Sequence, residues 1–213
     1  MTRRRIEYKY DYLNRRVQKL VLASSGSNWT IDPTSSRRFL YDGWSLIAEF
    51  KVTSSAAIGD LLRSYAWGLD IARSLSDAGG VGALLQIADH TSGKTFLPCY
   101  DGNGNVVALI NADNGNVAAA YEWSPYGEAL RSEALDPVVA DQPFRFSTKF
   151  YDGETGLYCY GRRYMSPSQG RHRSGQACAA ARRMSSYEPS STKTEPSDAP
   201  TAGQVRSSAN WNA

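Results

Sequence analysis

The sequence predicts an all-β protein, antiparallel hairpins laid side by side as an irregular repeat and followed by a disordered tail. Three observations carry this. Turn residues cluster at intervals of about 10 to 20 residues, with short alternating apolar segments between them. Aromatic residues make up 11% of the chain, a weighting that favours strands. Tyr-Asp pairs recur at Tyr10-Asp11, Tyr41-Asp42, Tyr100-Asp101 and Tyr151-Asp152. In such a pair tyrosine packs across the strand ladder while aspartate supplies turn hydrogen bonds at its end.

Residues 6–22 alternate through Ile6, Tyr8, Tyr10 and Tyr12 to Val17, Leu20 and Val21, which predicts two strands about a turn at Leu13-Asn14. Residues 23–36 are rich in Ser, Gly, Asn and Pro and read as a loop. Arg38 to Phe50 reads as strand, Asp42-Gly43 turn, strand. After a loop from Thr53 to Asp60, Leu61–Trp67 is a strand, Gly68-Leu69-Asp70 turns, and Ile71–Leu75 follows. Ser76–Gly82 is a flexible connection to an apolar run, Ala83–Ala88. Lys94–Tyr100, Val106–Ile110 and Val117–Trp123 are strands separated by turns at Asp101–Asn105 and Asp113–Asn116. The stretch Pro143–Arg171 is a compact β unit: Phe144 and Phe146 alternate with polar residues, Asp152–Gly156 has turn chemistry, and Tyr158, Tyr160 and Tyr164 follow with Arg162 and Arg163 between them.

Hydrophobic content of 41% is enough for a core. The formal net charge is +3, yet residues 1–170 hold 18 Lys+Arg against 18 Asp+Glu, so the excess lies wholly in the remaining 24 − 18 = 6 basic and 21 − 18 = 3 acidic residues. A neutral body argues against a nucleic-acid surface, which needs clustered cations. No apolar run approaches the roughly 20 residues of a transmembrane helix, and Met1–Arg5 has no apolar stretch behind it, so no signal peptide is encoded. Cys99, Cys159 and Cys178 lack CxxC spacing; no zinc site is expected, a disulfide framework is excluded, and Cys99 and Cys159 are expected as small buried side chains. Asn28-Trp29-Thr30 fits a glycosylation sequon.

Chemical motifs fail on inspection. Ser92-Gly93-Lys94-Thr95 resembles the end of a phosphate loop, but Ala88 stands where that loop needs glycine. Asp101-x-Asn103-x-Asn105 starts like a calcium loop, then has Val106 for glycine and Ala112 for the bidentate glutamate. The histidines are His90 and His172, no GxSxG elbow is present, and Asp89-His90 reads as a turn pair. No cofactor or metal is expected. Tyr121, Trp123, Tyr126, Arg145, Tyr158, Tyr160, Arg163 and Tyr164 could form a binding face, with cation–π and cross-strand packing as the plainer role.

One ordered string of motifs carries a resemblance. Gly156-Leu157-Tyr158-x-Tyr160, Arg163-Tyr164, Ser166-Pro167 and Gly170-Arg171, with Tyr121-x-Trp123-Ser124-Pro125-Tyr126-Gly127, Tyr100–Val106 and Tyr8–Arg16 upstream, resemble the RHS/YD-repeat family and its RHS repeat-associated core. The resemblance covers roughly residues 6 to 171 and implies repeats winding into a hollow β shell or solenoid that commonly encloses a variable C-terminal polymorphic toxin. It also implies a secreted or cell-surface setting, and an aspartyl self-cleavage motif of Asp-Pro-x-Gly type just beyond Gly170-Arg171. Here His172–Ala177 stands in that place without Asp-Pro, and Met165 replaces the usual aromatic, so no catalytic residue is carried over. Residues 1–171 are thus expected as repeats plus core, and 172–213 as a divergent, disordered tail with room for a short helix around Gln176–Met184. The tail reads as a very short variable region or as out-of-frame translation, the second being favoured; a start inside a repeat suggests a fragment of a longer gene.

The expected function is structural: part of an RHS shell, without enzymatic activity of its own, partnered by the rest of the shell or a toxin cargo. The alternative is a carbohydrate- or protein-binding repeat module at a cell surface; the third, an autoprotease, is disfavoured by the missing Asp-Pro.

Overall fold

The computed structural model describes residues 3–25 and 27–173. Cys178, the tail helix and the disorder expected after the core lie outside the described residues, apart from His172 and Arg173. The fold is all-β and antiparallel, as the turn spacing predicts. Strands β1 (Arg4–Tyr10), β2 (Arg16–Ser25), β3 (Asn28–Ile31), β4 (Arg37–Asp42), β5 (Ser45–Val52), β6 (Ile58–Trp67), β7 (Leu84–Asp89), β8 (Thr95–Tyr100), β9 (Val106–Asn111), β10 (Val117–Trp123) and β11 (Ala129–Ala134) form one eleven-stranded sheet. They pair in sequence order, except that β3 pairs β2 and β4 follows β2. A second sheet of four strands contains β12 (Phe150–Asp152), β13 (Leu157–Cys159), β14 (Tyr164–Ser166) and β15 (Arg171–Arg173).

Four hairpin turns, and one turn within the β6–β7 loop, share one geometry. In each, residue i donates its N–H to the carbonyl of i+4 and accepts from the N–H of i+3; i is Asp11, Thr53, Asp70, Asp101 or Ser124. Its side chain also accepts from the N–H of i+4 in every case: Arg15, Ala57, Ser74, Asn105 and Glu128. Residue i+3 takes a left-handed φ: Asn14 (63°), Ala56 (65°), Arg73 (58°), Gly104 (73°) and Gly127 (83°). This is the three-residue hairpin closed by a bulge.

An aromatic residue near the end of β4, β6, β8 and β10 completes the repeat by donating to the start of a strand beside it in the sheet. Tyr41 Oη bonds Arg16 O at 3.1 Å, Trp67 Nε1 bonds Leu46 O at 2.7 Å, Tyr100 Oη bonds Leu84 O at 2.5 Å, and Trp123 Nε1 bonds Val106 O at 2.7 Å. The anticipated division between tyrosine and aspartate therefore holds at Tyr100-Asp101, while tryptophan fills the aromatic place on β6 and β10. At Tyr41-Asp42 the strands instead join through a two-residue turn, Gly43-Trp44.

Four local expectations are corrected. The polar loop at 23–36 contains β3, held by backbone pairing to β2. Ile71–Leu75 is not a strand, because the buried Asp70 carboxylate gathers the N–H groups of Ala72, Ser74 and Ala78 into a coiled loop. Phe144 and Phe146 do not alternate along a strand: Phe144 makes a single bridge to Phe150, and Ser147 and Thr148 both take left-handed φ. Cys99 is exposed, and only Cys159 is partly covered.

From β11 the chain returns across one face of the large sheet through residues 135–149, and this return covers the core. Val139 and Phe144 join a cluster with Phe39, Tyr65, Leu84, Ile87, Phe96, Val106, Leu109 and Tyr121. Polar contacts fix its path. Lys94 Nζ meets Asp136 Oδ2 at 2.7 Å, and Asp141 pairs with Arg63 and, at 3.4 Å, with Arg37. Thr148 Oγ1 donates to Gly104 O at 2.7 Å and accepts from Gly82 N at 2.8 Å, which holds the unfavourable β-branched φ in place.

Candidate functional site

The small sheet seats on β1 and β2 through a buried polar seam. Arg16, 3% exposed, pairs with Asp152, which is fully buried; its guanidinium lies 4.8 Å from the Phe150 ring centre and 5.1 Å from those of Tyr8 and Phe39. Burial works against the charged guanidinium, yet the Asp152 carboxylate, together with Tyr164, Cys159 and Tyr8, outweighs it and holds the Arg16 pKa above its ordinary value. Lys19 Nζ lies 2.9 Å from Glu154 and 3.6 Å from Asp152. Tyr164 Oη meets Tyr10 Oη at 3.1 Å and Arg16 at 3.3 Å. Burial drives the Tyr8 and Tyr164 hydroxyls far above the usual phenol range, so both stay neutral.

The eight aromatic and arginine residues singled out from the sequence separate into two groups. Tyr121, Tyr158 and Tyr164 are buried. Tyr121 stacks on Trp123 at 5.6 Å, and Tyr158 Oη donates to Gly127 O at 3.2 Å. Arg145 lies over the rings of Tyr121 and Tyr151 at 5.6 and 5.1 Å. These four, with partly buried Trp123, do cross-strand and cation–π packing. Tyr126 and Arg163 are exposed, and Tyr160 is half-buried with its ring edge-on to His172 at 4.9 Å. Strand β15 runs across the 171/172 boundary, since His172 pairs with Met165 and Arg173 with Tyr164.

The described residues line two clefts. One, of about 690 Å³, is lined by Arg37, Lys51 and Arg63 together with Asp60, Asp89 and Asp141, so its charges balance. The other, of about 630 Å³, lies between the β4–β5 turn, the loop at 75–81 and the β13–β14 hairpin. Five cationic residues line it (Arg15, Arg16, Lys149, Arg162, Arg163) with Tyr41, Trp44, Trp67 and Tyr160, and no acidic residue does among the described residues. Sequence reasoning singled out Arg163 and Tyr160 but missed Trp44 and Lys149, which reach the cleft from elements distant in the chain.

Hydrolytic machinery is not assembled around the histidines described. His90 Nε2 lies 2.8 Å from Ser64 Oγ, but among the described residues no carboxylate hydrogen-bonds the imidazole: Asp89 Oδ1 accepts from Thr91 and Ser92, and Oδ2 faces Arg63 at 3.6 Å. No helix is long and apolar enough to cross a membrane among the described residues.

No family model matches the chain. It is 30% identical over 164 residues to the tRNA3(Ser)-specific nuclease WapA of Bacillus spizizenii, a match spanning 76% of this chain and 6% of that protein. The fold resembles the TcdB2-TccC3 crystal structure with a TM-score of 0.57 at 21% identity, over 79% of this chain and 8% of that one. It also resembles the Tc holotoxin pore of Photorhabdus luminescens, with a TM-score of 0.59 at 21% identity over 79% of this chain and 7% of that one. The chain thus spans a small fraction of the proteins it matches.

Proposed function

We infer that this chain is a piece of an RHS/YD-repeat β shell, joining repeat strands to the repeat-associated core, and that its role is structural. The observation that carries the reading is the seating of the core on the repeats. The motif string from Tyr151 to Tyr164 folds as its own small sheet, and Asp152 at its first turn pairs with Arg16 of the first hairpin, 136 residues away. The match to a small part of a much longer WapA protein and the likeness to Tc toxin structures support the same reading. Among the described residues β1 stands at the end of the large sheet, beside β2, a ready site for another strand of a larger assembly. In this role the partners are the remainder of the shell and a toxin cargo, and the setting is secreted or cell-surface.

The test combines activity and assembly. The purified chain is expected to keep its full intact mass, to leave tRNA uncut, and to capture separately expressed preceding strands of a longer relative. Cleavage of tRNA, a self-cleaved product, or failure to capture those strands overturns the structural reading. The alternative, a carbohydrate-binding module, is supported by exposed Tyr126 and Arg163; a glycan array without hits above background removes it.

A further inference from the structure

We propose that the cleft between the β4–β5 turn and the β13–β14 hairpin binds an organic anion that carries a ring beside its carboxylate or phosphate. The argument is one of charge and shape, and it stands whether or not the chain belongs to a shell. Two of the five cations are already matched, Arg15 by Asp11 at 2.7 Å and Arg16 by Asp152. The other three, Lys149, Arg162 and Arg163, have no carboxylate within ion-pair distance among the described residues. Lys149 is half-buried, and its ammonium donates to Gly79 O and lies 5.5 Å from the Tyr160 ring centre. Burial lowers its pKa, and the nearby Cys159 and Asp70 offset this only in part, the Asp70 carboxylate being engaged by its own loop. A half-buried ammonium whose hydrogen-bond acceptor is a neutral carbonyl keeps its charge unbalanced, and an anion entering the cleft relieves that cost.

The walls specify the rest of the ligand. Arg162 lies over the Trp44 ring at 5.5 Å, and Trp44 remains 46% exposed. Stacked this way, the guanidinium keeps its edge donors available for an oxyanion. Gly161 brings the backbone close to Trp44, where a Cβ would lie 3.2 Å from the ring; Gly80 does the same against Trp67 at 3.5 Å. Rings flattened against backbone offer apolar surface at the mouth, and a volume of about 630 Å³ suits a ligand of nucleotide or disaccharide size. The neighbouring cleft, whose cations face aspartates, lacks this imbalance.

The test is tryptophan fluorescence and calorimetry on the full chain with two matched probe pairs: AMP against adenosine, and a galacturonic acid disaccharide against its methyl ester. The expected result is saturable binding of at least one anion, at least tenfold tighter than its neutral counterpart. That binding is weakened at least tenfold in the Arg162→Ala/Arg163→Ala variant, whose exposed positions leave the melting temperature unchanged, and weakened again by Trp44→Ala. Which pair responds separates phosphate from carboxylate recognition. The proposal is overturned if neither anion saturates, if the neutral member binds as tightly, or if the double arginine variant binds unchanged.

Discussion

Arg16 and Asp152 form an ion pair sealed from water, and it is the principal polar tie between the first hairpin and the last sheet. Removing one member leaves the other charge buried and unpaired, which costs about 3 to 5 kcal/mol. Arg16→Met and Asp152→Leu are each expected to lower the urea midpoint sharply. The double replacement Arg16→Met/Asp152→Leu is expected to recover much of the loss, because both desolvation penalties disappear together. Denaturation of the three variants checks this; additive losses in the double variant would show that the pair does not act as a unit.

The repeated turn geometry makes a second prediction. Gly104 and Gly115 both take a left-handed φ, 73° and 74°. A Cβ on Gly104 would meet Val81 Cγ1 at 2.5 Å and Gly82 N at 3.1 Å, whereas one on Gly115 meets nothing within 4 Å. Gly115→Ala carries only the left-handed penalty, about 1 to 2 kcal/mol. Gly104→Ala must also displace the loop at 81–82, so its loss is expected to be clearly the larger. Thermal melts of the two variants decide it, and equal losses would mean that the loop yields freely.

These turns also show what the sequence makes legible. Asp11 and Asp101 were recognisable because aspartate follows an aromatic strand end and precedes a residue suited to left-handed φ. Thr53-Ala56 and Ser124-Gly127 take the same geometry with other side chains, so a search for Tyr-Asp pairs passes over them. Strand β11 was missed because Ala129–Ala134 is exposed at every position and is held by backbone pairing to β10, which leaves no alternation to read. The return at 144–148 was misread as a strand because its backbone is decided by distant partners, Asn105 and Gly104, that bond Ser147 and Thr148. The Arg16–Asp152 pair and the cationic cleft join residues more than a hundred positions apart, and no local pattern records such a meeting.

The ties of the return segment predict an acid-sensitive step. The Asp141 carboxyl is held below its ordinary value of 3.8: partial burial would raise it, and Arg63, with Arg37, outweighs that. A depressed folded-state pKa means that the group contributes stability above the unfolded value and loses it as pH falls through the folded one. The difference in urea midpoint between the wild type and Asp141→Asn is therefore expected to be constant from neutral pH down to about 5 and to close below about 4. A difference unchanged down to pH 2 would show that Asp141 acts through packing instead.

Tyr158 and Tyr126 separate packing from display within the residues that the sequence marks as one face. Tyr158 is 1% exposed and its ring lies 4.9 Å from Tyr151 and 6.0 Å from Phe146, with its hydroxyl bonded to Gly127 O. Tyr126 is 63% exposed. Tyr158→Phe leaves the ring and removes the hydroxyl, a loss of about 1 kcal/mol that includes the orphaned carbonyl. Tyr158→Ala removes the ring as well and is expected to cost about 3 to 5 kcal/mol, the range for a buried aromatic truncated to a methyl group. Tyr126→Ala should change stability by no more than about 0.5 kcal/mol, as surface substitutions do. If the two alanine variants were equally stable, Tyr158 would not be a packing residue, and the division of this face into a buried layer and an exposed rim would fail.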